Sequence, residues 1–255
     1  MDKAGIIAAS GTLASLSFNQ LGVLAFGDSI TNGGGELQWG VALQSWALWV
    51  ARALGLPFTN YAADGDCVAD VLERQIPAFE SRTAYPKSGY DLGCLYIGVN
   101  DVRGFGWDPV CFEERYGRAL AFIAARCERT LAVTAPLDLG RPRAGAKVRD
   151  LNAIIARVAR EHGALLLDLA EFSGRNLLMA DHVHPTAFGQ IAIAERALAV
   201  LEADGLEVRA RPSEMISYEI SWFGRLRSDT TFVYRRTKEA LRAGRFYVTN
   251  ALRGS

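Results

Sequence analysis

Residues Leu21-Gly22-Val23-Leu24-Ala25-Phe26-Gly27-Asp28-Ser29-Ile30 decide how this chain is read. The aliphatic run Leu21–Phe26 ends in Gly27-Asp28-Ser29, and Gly33-Gly34-Gly35 follows shortly after. A buried strand that breaks into a tight turn and then a helix has this appearance. Four more short aliphatic runs lie outward from it, at Pro57–Tyr61, Leu92–Ile97, Thr130–Thr134 and Ala164–Asp168. Helix-like stretches separate them. Val41–Leu54 carries Leu43, Trp46, Ala47 and Val50 on one face and stops at Gly55. Val68–Phe79, Pro109–Cys127, Lys147–His162 and Thr186–Leu201 follow. Strand–helix alternation of this kind predicts an α/β fold, a three-layer α/β/α sandwich around a doubly wound five-stranded parallel sheet.

The alternation stops after Gly205. Residues 1–206 are expected to form one domain, and 207–255 a basic, aromatic C-terminal extension of one or two helices. The formal net charge of zero hides an asymmetry: residues 207–255 hold ten Lys and Arg against five Asp and Glu. The overall balance does not suggest a nucleic-acid partner. Three readings of the extension stand side by side: cover for its own domain's apolar surface, a homo-oligomer contact, or docking on a membrane or acidic partner. The spread of its arginines over both sides of a helix speaks against a membrane face.

Cys67, Cys94, Cys111 and Cys127 show no CxxC spacing and no companion histidines, so no metal site is expected. Reduced thiols and a cytoplasmic location are expected rather than secretion. Residues 1–20 lack the strong apolar core of a secretory signal and read as a segment packed on the domain.

Ligands of open α/β sheets bind at the carboxyl ends of strands where the strand order reverses. In an order 2-1-3-4-5, Ser29 after the first strand and Gly98-Val99-Asn100-Asp101 after the third would face each other there. Ser29 alone would read as a turn serine. Asp181-His182-Val183-His184-Pro185 changes that, because Ser29, Asp181 and His184 supply a nucleophile, an orienting acid and a base. His182 is the rival base, but an extended loop would point it away from the side His184 faces. Asp168 is an alternative acid. Asn100, the backbone N–H of Gly65 and the N–H of Ser29 could together form an oxyanion hole. Arg103, Phe105 and Trp107 could line a substrate pocket. Asp28 and Asp101 read as structural, bonding nearby backbone. The triple glycine lacks the Lys-Ser/Thr of a phosphate loop and reads as a flexible rim.

These residues make the chain resemble the SGNH hydrolases, or GDSL esterases and lipases. That family is marked by Ser, Gly, Asn and His blocks, which stand here in order at Ser29, Gly65, Asn100 and His184. The resemblance covers residues 20–205. Ala62 and Thr186 depart from common family residues, and the basic extension lies outside the pattern. The resemblance implies a flavodoxin-like sandwich and cofactor-free, metal-free hydrolysis of a small-molecule ester. A carboxylic ester with a small or medium acyl group is the expected substrate. Acyl transfer or thioester hydrolysis on the same triad, or a non-catalytic binding role, are the alternatives.

Overall fold

The computed structural model describes residues 21–82, 89–140 and 144–253. The expectation for residues 1–20 lies outside them. Five parallel strands form one sheet: β1 (Val23–Gly27), β2 (Phe58–Asn60), β3 (Tyr90–Tyr96), β4 (Cys127–Val133) and β5 (Leu165–Leu167). Their order is β2-β1-β3-β4-β5, as expected. β1 is an interior strand between β2 and β3, with Val23 opposite both Phe58 and Leu92. Every residue of β1 and β3 is buried, which explains the apolar reading of β1 and of β3 from Leu92 onward.

The helices are α1 (Ser29–Asn32), α2 (Trp46–Leu54), α3 (Val68–Asp70), α4 (Ile76–Arg82), α5 (Val99–Arg103), α6 (Pro109–Ala124), α7 (Lys147–Glu161), α8 (Ala187–Ala203) and α9 (Trp222–Arg253). A π turn, Val71–Gln75, joins α3 to α4. It lies just ahead of Pro77, whose ring and missing N–H disturb the preceding helical turn. α2 and α8 pack together on one sheet face, and α6 with α7 on the other. Trp46 and Tyr96 fill the first layer, their rings 6.5 Å apart. Phe26, Tyr61, Phe79 and Phe122 cluster in the second.

α2 starts four to five residues later than Val41. Ser45 caps it through Ala47 N–H, and Val41 instead closes a turn by bonding the carbonyl of Gln38. Beyond α8 the chain clasps the domain. Arg209 and Ala210 donate backbone N–H to the carbonyl of Ala53, and Arg211 pairs with Glu195 and Glu202. A 3-10 turn at Pro212–Glu214 precedes the single long helix α9.

Candidate active site

β1 ends at Gly27, and Asp28 turns the chain by accepting the N–H of Ile30 at 2.9 Å. Ser29 therefore opens α1 at the carboxyl end of β1, nearly buried at 9 % exposure. Its Oγ lies 2.9 Å from His184 Nε2. His184 Nδ1 lies 2.7 Å from Asp181 Oδ2. The other Asp181 oxygen accepts the N–H of Val183 at 2.9 Å and of His184 at 3.1 Å. The three expected residues thus form one continuous hydrogen-bonded chain.

The loop carrying Asp181 and His184 is not extended. It is a tight turn in which Leu178 bridges Pro185 and the N–H of Met179 reaches the carbonyl of His184. His182 holds the left-handed bend, with φ +56°. The side chain of His182 does leave the site, but the turn turns it away rather than strand alternation. Its Nδ1 lies 2.9 Å from Asp138 Oδ2, and its carbonyl accepts the N–H of Gly140. A second His–Asp pair thus pins the catalytic-type loop to residues 138–140. Asp168 is engaged elsewhere, accepting from Thr134 Oγ1 at 2.7 Å and from Ala170 N–H.

The glycine cluster is a close-packed spacer, not a flexible rim. The N–H of Gly34 bonds the carbonyl of Ser29. A Cβ on Gly34 would sit 2.7 Å from that carbonyl oxygen, and one on Gly35 would sit 2.1 Å from the carbonyl oxygen of Pro185. Glu36 then pairs with Thr186, so the segments after Ser29 and after His184 run side by side.

The remaining two blocks also converge. Asn100 Nδ2 donates to the carbonyl of Asp66 at 3.0 Å, one residue past Gly65. One of the two amide hydrogens is thereby used, and the amide plane is fixed. Gly65 adopts φ +82° with open space where a Cβ would stand. Asn32 Nδ2, on α1, holds Asp64 at 2.9 Å. Asp101 accepts the N–H of Val68, so it ties α5 to α3.

Of the three expected pocket residues, Arg103 ends α5 beside Gly140 and Val183. Trp107 is partly buried, 5.3 Å from the Phe112 ring. Phe105 is 83 % exposed. Trp107 and Asn100 line a cleft of about 250 Å³ together with Cys67, Asp101 and Arg115. Burial pushes the Cys67 thiol up to about 11, so it is not a thiolate at neutral pH.

The electrostatics suit proton transfer. The hydrogen bond that His184 donates to Asp181 raises the His184 pKa above its ordinary value, against burial and the nearby Arg103 charge. Burial alone would raise Asp181, but its hydrogen bonds from His184 and Val183 hold it below the ordinary carboxylate value. Desolvation lifts fully buried Asp28 to about 7. Its Oδ2 has no hydrogen-bond partner among the described residues, so no bond to that oxygen offsets the desolvation.

Two glutamines support the Ser29 turn and were missed in the sequence. Gln75 Oε1 accepts the N–H of Gly27, while its Nε2 donates to the carbonyl of Gly27 and to Asp66. Gln190 accepts the N–H of Trp46 and donates to the carbonyls of Ile30 and Gly34. Both interrupt the apolar stripes of their helices, which is the signal that could have found them. Gln190 is fully buried. Gln190→Leu is expected to cost about 2–4 kcal/mol, because three buried polar partners lose their bonds at about 1–3 kcal/mol each before relaxation. Urea unfolding checks this, and a midpoint equal to wild type would refute it.

The GDSL-like lipase/acylhydrolase family model matches residues 25–191. No curated protein matches the sequence. Solved structures resemble the fold. Axe2, an acetylxylan esterase from Geobacillus stearothermophilus, shares 21 % identity over 75 % of this chain and 100 % of its own, with a TM-score of 0.57. LAE5, an alpha/beta hydrolase enzyme from the metagenome of Lake Arreo, Spain, shares 22 % over 72 % of this chain and 97 % of its own, also at 0.57. A member of the lipolytic protein G-D-S-L family from Veillonella parvula shares 22 % over 71 % of this chain and 97 % of its own, again at 0.57. With the family's model spanning the segment from the middle of β1 to the first turns of α8, this chain belongs to the GDSL-like lipase/acylhydrolases and is a serine hydrolase acting on ester bonds.

Proposed function

We propose that the chain hydrolyses a carboxylic ester with a small acyl group through an acyl-enzyme on Ser29. The observation that carries this is the unbroken hydrogen-bonded chain from Ser29 through His184 to Asp181. His184 takes the Ser29 proton as Oγ attacks the carbonyl carbon. Asp181 stays ionised and stabilises the imidazolium. The oxyanion is held by the N–H groups of Ser29 and Gly65 and by the second amide hydrogen of Asn100. His184 then gives its proton to the departing alcohol. Water, deprotonated by His184, releases the acid and restores Ser29.

The space next to the site supports a small acyl group. The cleft that shares Asn100 with the site, though not Ser29 or His184, holds about 250 Å³ and is walled by Trp107, below the usual range for drug-sized ligands. The resemblance to an acetylxylan esterase supports the same end of the range. Turnover of p-nitrophenyl esters is expected to peak at acyl chains of about two to four carbons and to fall at least about tenfold by eight. A rate that rises steadily with chain length would overturn the small-acyl reading.

A further inference from the structure

Among the described residues, α9 meets the domain along one edge. Asp229 pairs with Arg175, whose guanidinium also lies 5.4 Å from the centre of the Phe232 ring, and Arg235 pairs with Glu36. Asp229, Phe232 and Arg235 follow each other at intervals of three and so share one side of the helix. A cleft of about 500 Å³ runs beneath this edge, against residues 36–39. The opposite side carries Trp222, Phe223, Leu226, Val233, Tyr234 and Leu241. Their spacing keeps them on one face, and each is 47–75 % exposed. A surface helix ordinarily turns its apolar stripe inward. α9 is mounted the other way round, with a polar edge on the body and the stripe outward.

Charge indicates what covers the stripe. The segment Trp222–Arg253 holds eight Lys and Arg against two Asp and Glu. Arg225 and Arg236 stand eleven residues apart and therefore stack along one border of the stripe, and Lys238 stands on the other. All three are exposed. Basic residues on both sides, taken from sequence alone, speak against a membrane face. On the helix these sides are the two borders; Asp229 shares the first, and the stripe between them holds the uncharged Thr230 and Thr237 beside its apolar residues. A second copy docked face to face by a twofold axis would set one basic helix against another. A bilayer with acidic headgroups takes both features at once, since the stripe enters the acyl boundary while the basic side chains reach the phosphates. No described helix is long and apolar enough to cross a membrane, so α9 would lie in the interface.

We propose that the outward face of α9 docks on an anionic phospholipid surface and holds the domain against it. The proposal is independent of the ester chemistry, because none of the residues involved belongs to the Ser29 site. The test is co-sedimentation of the full chain with vesicles of phosphatidylcholine alone, and with about one-third phosphatidylglycerol. The expected partition coefficient is at least about tenfold higher on the anionic vesicles. It should fall when salt is raised from about 0.1 M to 0.5 M. A Phe223→Glu, Val233→Glu double variant is expected to lose at least about tenfold of that binding. Its circular dichroism and thermal melt should match wild type, because both positions face solvent. Absence of binding to anionic vesicles would overturn the proposal, as would a correctly folded double variant that binds like wild type. A concentration-dependent dimer in solution that the double variant abolishes would assign the face to a second copy and equally overturn it.

Discussion

Ser29→Ala is expected to lower kcat on a p-nitrophenyl ester by at least about a thousandfold, with KM changed far less. The reason is local. In the proposed mechanism Ser29 Oγ forms the bond to the acyl carbon, and His184 Nε2 lies 2.9 Å away to receive its proton. Alanine keeps the α1 turn, because that turn is set by Asp28 capping Ile30 and by Gly34 bonding the carbonyl of residue 29. Fold and binding should therefore survive while chemistry is lost. The half-buried thiol of Cys67, its pKa raised to about 11 by desolvation, stays protonated at neutral pH. A variant that retained wild-type turnover would place the reaction on another residue.

Asp181→Asn is expected to lower kcat by about 10³–10⁴-fold at neutral pH. Two effects combine. The amide no longer stabilises the imidazolium that forms as Ser29 attacks, and it can present N–H₂ to His184 Nδ1, which favours the wrong tautomer. The pH profile separates this from simple misfolding. His184 acts as a base only when neutral, so activity falls as pH drops through its pKa. The Asp181 hydrogen bond and charge hold that pKa above the ordinary 6.5. The wild-type acid limb of kcat/KM should therefore have its midpoint above pH 6.5, and the Asn variant's residual activity should show a midpoint shifted to lower pH. An unchanged midpoint would mean that Asp181 is not the group that sets the basicity of His184.

How far the sequence carried these conclusions depends on what each element hides. The strands around Ser29 were legible because β1 and the middle of β3 are buried on both faces and read as plain aliphatic runs. Strand ends were less so. β3 starts at Tyr90 and includes Asp91, whose carboxylate accepts the N–H of Gly22, and β4 starts at Cys127 with the charged Glu128 and Arg129. Such polar residues break an apolar pattern without breaking the ladder. Ser29, Gly65 and Asn100 stood out because they follow the ends of β1, β2 and β3, and Asp181 and His184 because they share one short motif before α8. Their supports did not, because Gln75, Gln190 and Asp138 act across separations of 44 to 160 residues. Nothing local distinguishes a glutamine that bonds a distant carbonyl from one on a solvated face. The glycine cluster read as mobile for a related reason, since close approach to the carbonyls of Ser29 and Pro185 is a tertiary fact. The orientation of α9 was equally hidden, because its spacing defines an apolar stripe but not the direction it faces.

The most direct test of the acyl-enzyme account is intact-mass and peptide mass spectrometry after treatment with a fluorophosphonate, which phosphonylates an activated serine with loss of fluoride. A single adduct on the peptide carrying Ser29, formed in step with loss of esterase activity and absent from His184→Ala, is the predicted result. Full inhibition with the adduct on any other residue, or an active enzyme that takes no label at Ser29, would contradict it.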